Sequence, residues 1–381
     1  MVAHGVEASE RELAEPSPET RRGQACDGLP GAPRAVAPHG PAVYHRRLQK
    51  ESGVATHDIA VSVEGLRQRF GGREALKGID FQIARGEIFG LLGPNGGGKT
   101  TLFRILSTAL VPTAGRATLF GSVLDQAPTQ ETLRFIRRRI GVVFQAFGLD
   151  KKLTVRENLI HQGHLYGLLG ADLRARIRTR LERFGLSDRA GDRVETLSGG
   201  LCRRVELAKG LLHDPLLILL DEPATGLDPG ARRDLWEYLG ALREKDAVTI
   251  LVTTHILEEA ERCDRIGILN RGELVALDTP AALKARIGGD ILSIETPSPE
   301  ELARGIREKL GGEPTVVNGS VRLERPQGHR FVPSLIETFA GQISAVTVGK
   351  PSLEDVFIHL TGHRFWEEDA ASGAGRGRGP R

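Results

Sequence analysis

The chain of 381 residues is predicted to be an α/β protein, and three observations predict it. Short apolar strands alternate with helical segments over residues 57–285. One of those strands runs into a glycine loop and from there directly into a helix. After residue 288 the order changes to β-α-β-β-α-β, that of a ferredoxin-like split unit.

The elements follow in order. HDIAVSVEGL (57–66) and GIDFQI (78–83) are strands of an antiparallel layer beside the main sheet. EIFGLLG (87–93) is short and wholly apolar, and TTLFRILSTAL (100–110) is the helix after the glycine loop. RIGVVFQ (139–145), LLILLDE (216–222) and AVTILVTTH (247–255) are again apolar, as strands of a parallel sheet covered on both faces must be. RIGILNRGELVALD (265–278) reads as a hairpin. Residues 150–195 show helical periodicity without a strand, so an all-helical insert is expected, reaching about residue 212 with the next helix. In the C-terminal part, ILSIET (291–296), SPEELARGIREKL (298–310), TVVNGSVRLE (315–324), FVPSLIETFA (331–340) and ISAVTV (343–348) form a small accessory domain over 288–362. Its hairpin turns on Asn318-Gly319, and the helix SLEDVFIHL (352–360) closes it. Residues 1–55, rich in Ala, Pro, Gly, Arg and Glu, and the tail 363–381, ending GAGRGRGPR, are expected to be disordered.

Hydrophobic residues make up 40% and charged residues 27%, ordinary values for a globular protein. A net charge of +3 gives no case for nucleic acid. The three cysteines, Cys26, Cys202 and Cys263, lack metal-ligand spacing and read as reduced thiols. No apolar stretch approaches the roughly 20 residues that span a bilayer, and the N-terminus has no signal-like apolar core. A cytosolic protein is expected, reaching a membrane only through a partner.

GPNGGGKTT (93–101) fits G-x-x-x-x-G-K-[ST] between a strand and a helix, the context of a P-loop. Gly93, Pro94, Asn95, Gly96, Gly97, Gly98, Lys99, Thr100 and Thr101 would wrap phosphates in backbone N–H groups. Lys99 reaches the β- and γ-phosphates, and the Thr100 hydroxyl sits on Mg²⁺. Asp221 and Glu222 end a buried strand, where one carboxylate can hold Mg²⁺ and the adjacent Glu222 can polarise the attacking water as a general base. His255 ends another strand, at the crevice a parallel sheet presents, and can donate to a γ-phosphate oxygen or lie idle on the surface. Gln145, ending RIGVVFQ, can sense Mg²⁺ or water, or cap a loop. Asp228 lies in the turn ATGLDP, placed to contact another subunit. Phe70 can stack on a purine or belong to the core. In LSGGLCRRVELAKGLL (197–212), Ser198 caps a helix whose N-terminus, with Gly199 and Gly200, forms a second anion site.

The order GPNGGGKTT, Gln145, LSGG, LLILLDEP, TGLD and His255 resembles the nucleotide-binding domain of ATP-binding cassette (ABC) transporters over about residues 57–280. The resemblance implies ATP and Mg²⁺ as ligands, with Phe70 stacking on the base and Gln145 in the Q-loop. It makes Glu222 the catalytic carboxylate, His255 the switch histidine and Asp228 the D-loop residue. PSLEDVFIHLTGH (351–363) with THILEEAERCDRIGILNRGELVALDTP (254–280) is similar to ATP-binding subunits of the daunorubicin/doxorubicin-resistance type. That implies export through a separate permease, with this chain peripheral on the cytoplasmic face of the membrane. Leu201 and Cys202 depart from the residues common after LSGG, and neither side chain is needed for backbone anion binding. Two phosphate sites in one chain then imply half-sites, each completed by a second copy, in a two-fold homodimer burying two ATP molecules. A P-loop kinase of small metabolites would explain GPNGGGKTT but not the LSGG helix. A cassette acting on ribosomes or DNA would be expected to carry two cassettes or a long coiled coil.

Overall fold

The computed structural model describes residues 58–362 and Phe365. The expected disordered extension 1–55, and the tail apart from Phe365, lie outside the described residues.

The chain opens with β1 (Ile59–Phe70), β2 (Arg73–Ala84), β3 (Ile88–Leu92), α1 (Lys99–Leu106), β4 (Ala114–Leu119), β5 (Ser122–Leu124) and α2 (Gln130–Arg137). It continues through β6 (Ile140–Val143), α3 (Val155–Leu165), α4 (Gly170–Arg183), α5 (Gly199–Gly210), β7 (Leu217–Asp221), α6 (Pro229–Asp246) and β8 (Thr249–Thr254). Next come α7 (Leu257–Ala260), β9 (Arg265–Asn270), β10 (Glu273–Asp278) and α8 (Pro280–Ala285). The last part holds β11 (Asp290–Glu295), α9 (Pro299–Lys309), β12 (Thr315–Val317), β13 (Ser320–Arg325), α10 (Gly328–Thr338), β14 (Ala345–Gly349) and α11 (Leu353–Thr361).

The central sheet has the order β10-β9-β3-β8-β7-β6 and is parallel except for β10, which closes the expected hairpin with β9. Its strands are buried on both faces, and the pleat sorts their residues. Phe89, Leu91, Leu217, Leu219 and Leu251 face α1 and the antiparallel layer. Ile88, Leu92, Ile218, Leu220, Ile250 and Val252 face a second core that includes residues of α3 to α6.

The antiparallel layer has four strands, β2-β1-β4-β5, where the sequence suggested two. β1 runs to Phe70 rather than Leu66, and β2 starts at Arg73 rather than Gly78. Register shifts between Val63 and Leu66 interrupt the in-out alternation there, which hides the strand from a period-two search. The β4–β5 hairpin turns on Phe120-Gly121, both at positive φ, the geometry of a type I′ turn.

The C-terminal sheet, β12-β13-β11-β14, is antiparallel throughout and has the ferredoxin-like order expected. Leu302 and Ile306 of α9 and Leu335 of α10 fill its own core. The final helix departs from the expectation. Leu353, Val356 and Phe357 of α11 join the large core rather than the small one. An Arg322–Asp355 ion pair ties α11 back to β13, so this helix straps the two units together. No helix among the described residues is long and apolar enough to cross a membrane.

Candidate active site

β3 delivers the chain into the loop Gly93–Gly98, and α1 takes it away. Gly96 and Gly98 have φ of 80° and 111°, left-handed values that only glycine adopts without strain. Gly93 is glycine because of crowding: a Cβ there would lie 2.2 Å from the Leu269 carbonyl oxygen of β9. Gly97 donates to Pro94 O at 3.1 Å, while Asn95 and Gly96 stay exposed at the loop tip. No side chain caps the N-terminus of α1 and its first turn holds no acid, so its free N–H groups and dipole suit an anion. Thr100 and Thr101 are half-buried on that turn.

Lys99 is 4% exposed, and its Nζ donates to Gly93 O at 2.7 Å and Pro94 O at 3.1 Å. It also lies 3.3 Å from Glu222 Oε1. Glu222 follows β7 at a φ of 45°, an unfavoured value for a side chain with a Cβ. Thr253 holds it there, for the Glu222 N–H points at both Thr253 O (3.1 Å) and Thr253 Oγ1 (3.0 Å). On Glu222 Oε2 converge Gln145 Nε2 at 3.2 Å, Thr225 Oγ1 at 3.4 Å and His255 Nδ1 at 3.0 Å. Burial pushes the Glu222 carboxyl up, but the hydrogen bond with His255 and the charge of Lys99 outweigh it. The net result lies below the usual glutamate value, so the group is a carboxylate at neutral pH.

Asp221, one residue earlier, ends β7 and accepts from Thr253 Oγ1 at 2.6 Å. Burial, with Glu222 adjacent, raises its carboxyl. Gln145 lies two residues beyond the end of β6 rather than ending it, and this exposed loop carries its amide to Glu222. His255 directly follows β8, as the sequence suggested. The structure therefore brings Lys99, Gln145, Asp221, Glu222 and His255 to one place.

Other sequence-predicted residues stand apart. Ser198 caps α5, accepting from the Leu201 N–H at 3.3 Å, and both Ser198 and Gly199 are exposed. A Cβ on Gly199 would meet nothing within 4 Å. α5 packs on the edge strand β6, three strand positions from β3, or about 14 Å at ordinary strand spacing. Asp228 is exposed and caps α6 through a 3.0 Å bond from the Ala231 N–H. Its carboxylate serves its own helix, and that cap lowers its pKa. Phe70 is 49% exposed at the end of β1, which excludes the core alternative.

Three site residues escaped the sequence reading. Thr253 braces both acids. Glu259, 2% exposed, accepts from Thr254 Oγ1 at 2.7 Å just past His255. Arg203 of α5 is 2% exposed and donates to the carbonyls of Phe144 (2.9 Å) and Gln145 (3.0 Å). Only the Arg203-Arg204 pair following LSGG hinted at it.

Residues 76–225 match the family model described as ABC transporter. The chain is 38% identical, over 83% of its length and 99% of the relative's, to "Daunorubicin resistance ATP-binding protein DrrA2" of Streptomyces coeruleorubidus. It is 40% identical to "Nod factor export ATP-binding protein I" of Rhizobium sp. (strain N33), over 81% of this chain and 98% of the relative. Among solved structures, cbiO1 from Clostridium perfringens superposes with a TM-score of 0.56 at 28% identity, covering 66% of this chain and 96% of that one. A dimeric ATP-binding cassette in a post-hydrolysis state with ADP and Pi gives a TM-score of 0.53 at 30% identity, covering 57% and 98%. Relatives matched over nearly their whole length, and a P-loop site inside the fold those cassettes share, lead to one conclusion: the chain belongs to the ATP-binding proteins of ABC transporters, which are ATPases.

Proposed function

We propose that this chain is the motor subunit of an exporter for a small molecule of the drug, antibiotic or lipid-like kind. It would work at the cytoplasmic face of the membrane through a separate multi-helix permease, as a homodimer with two ATP molecules between the copies. The observation that carries this reading is the contrast between the two anion sites. Lys99, Gln145, Thr225 and His255 gather on one carboxylate, whereas Ser198 and Gly199 face outward on another element. The names of the drug-resistance and Nod-factor relatives support export.

In this reading the P-loop N–H groups and Lys99 hold the phosphates of ATP, and exposed Phe70 stacks on the base. The hydroxyl of Thr100, the amide oxygen of Gln145 and the carboxylate of Asp221 are hard oxygen donors that fit Mg²⁺, which needs only one carboxylate when phosphates supply other ligands. When bound, Mg²⁺ neutralises charge on the phosphates. Glu222 accepts a proton from water as its oxygen attacks the γ-phosphorus and the bond to ADP breaks. Gln145 and His255 hold that carboxylate in place. Ser198 and the N–H groups of Gly199 and Gly200 reach the γ-phosphate from the second copy, and Asp228 lies at the seam.

Glu222→Gln tests this directly. The expected result is an ATP-dependent dimer on size exclusion, with hydrolysis lowered about 10²- to 10⁴-fold, the worth of a general base. Full-rate hydrolysis without an ATP-dependent dimer would overturn the reading.

A further inference from the structure

α5 carries Ser198 at its exposed N-terminus, and its buried face grips the loop that carries Gln145. Arg203 donates to the carbonyls of Phe144 and Gln145, and its guanidinium lies 4.8 Å from the centre of the Phe147 ring. Lys209, further along the same helix, donates to the Gly148 carbonyl. Three carbonyls of a five-residue segment therefore accept from cations of one helix. Burying a guanidinium is costly, and both terminal nitrogens of Arg203 donate to this loop, while its Nε has no partner among the described residues. Arg203 reaches two adjacent carbonyls because its donors form a rigid fork, a geometry lysine lacks.

We propose that Arg203 is a positioning residue that sets Gln145 against Glu222 according to where α5 sits. The path is continuous: Ser198, the helix, Arg203 about 7.5 Å along its axis, the Gln145 backbone, the Gln145 amide and Glu222 Oε2. Any shift of α5 as Ser198 meets the second copy's nucleotide moves the Gln145 amide relative to this copy's own carboxylate. This part rests on the proposed two-copy arrangement. Each copy then registers, at its own hydrolytic site, that its signature helix has engaged.

The test is a double-mutant cycle on ATPase activity in the full chain, using Arg203→Lys and Gln145→Ala. Arg203→Lys is expected to lower kcat about tenfold with KM for ATP within twofold, and to cause no further loss when Gln145 is already alanine. Phe147→Leu, at a residue 42% exposed, removes only the aromatic face and is expected to give a smaller loss that also disappears in the Gln145→Ala background. It carries the test if Arg203→Lys fails to fold. Losses that multiply in the double variants, or no loss in either single variant, would overturn the proposal. ATP-dependent dimerisation of Glu222→Gln, run alongside, separates the two ideas. If that dimer does not form, the two-copy reading fails; if it forms and the cycle is additive, only the role of Arg203 fails.

Discussion

The P-loop and the LSGG turn have similar chemistry and opposite surroundings. Both end in a helix N-terminus preceded by glycines, an arrangement that attracts phosphate. The P-loop is built into the sheet: Gly93 crowds the Leu269 carbonyl, Lys99 is buried, and Glu222 gathers donors from four segments. Ser198 and Gly199 lie on the surface, with open space around Gly199. The first site gathers its buried donors on Glu222 within one chain, while the second offers its donors outward. Glycine serves backbone packing in one and access in the other.

Four measurements press on that contrast. Ser198→Arg should give the largest effect, blocking the surface turn while leaving the P-loop intact. ATP binding to the isolated chain should persist and hydrolysis fall at least about 100-fold, a loss typical of a missing oxyanion donor. Retained hydrolysis would mean that the turn completes no site. Gly93→Ala should act through folding, because the methyl would have to displace backbone. A loss of about 1–3 kcal/mol in denaturant unfolding is expected, and an unchanged midpoint would show that the loop yields easily.

His255→Ala sharpens the electrostatics of the P-loop site. Burial raises the Glu222 carboxyl, and His255 is foremost among the groups that bring it below its ordinary value. Without His255, burial is less opposed and the carboxyl titrates higher, so the acid limb of the kcat/KM profile should move to higher pH. An unmoved limb would show that Glu222 is not the group titrating there. The sign for stability follows: a depressed carboxyl stabilises the fold above its ordinary value, and that contribution is lost as pH falls through the lowered one. The smallest effect should come from Gly199→Ala, which alters unfolding by less than about 0.5 kcal/mol and yet slows hydrolysis. If Gly199→Ala destabilised the chain as much as Gly93→Ala, the distinction between the two sites would collapse.

Much of this was legible in the sequence because it is local. The P-loop needs nine consecutive residues, and the apolar strands LLILL and TILV declare themselves by composition. What escaped depends on partners distant along the chain. Thr253 is one threonine in a strand until β8 pairs beside β7 and sets its hydroxyl between Asp221 and the Glu222 N–H. Arg203 reads as a solvated charge on a helix until β6 and its loop pack beneath it, more than 50 residues away in sequence. The far half of β1 was missed because register shifts break the alternation by which strands are found.

The sequence by itself therefore determined which phosphate chemistry is available, because loop geometry and helix capping arise within a few neighbouring residues. Tertiary structure alone decided which side chains converge on Glu222, which glycines are crowded, and which helix holds the Gln145 loop. It also placed α11 against the large core rather than the small one. Those outcomes depend on burial and on distances between segments far apart in the chain, which local pattern does not encode.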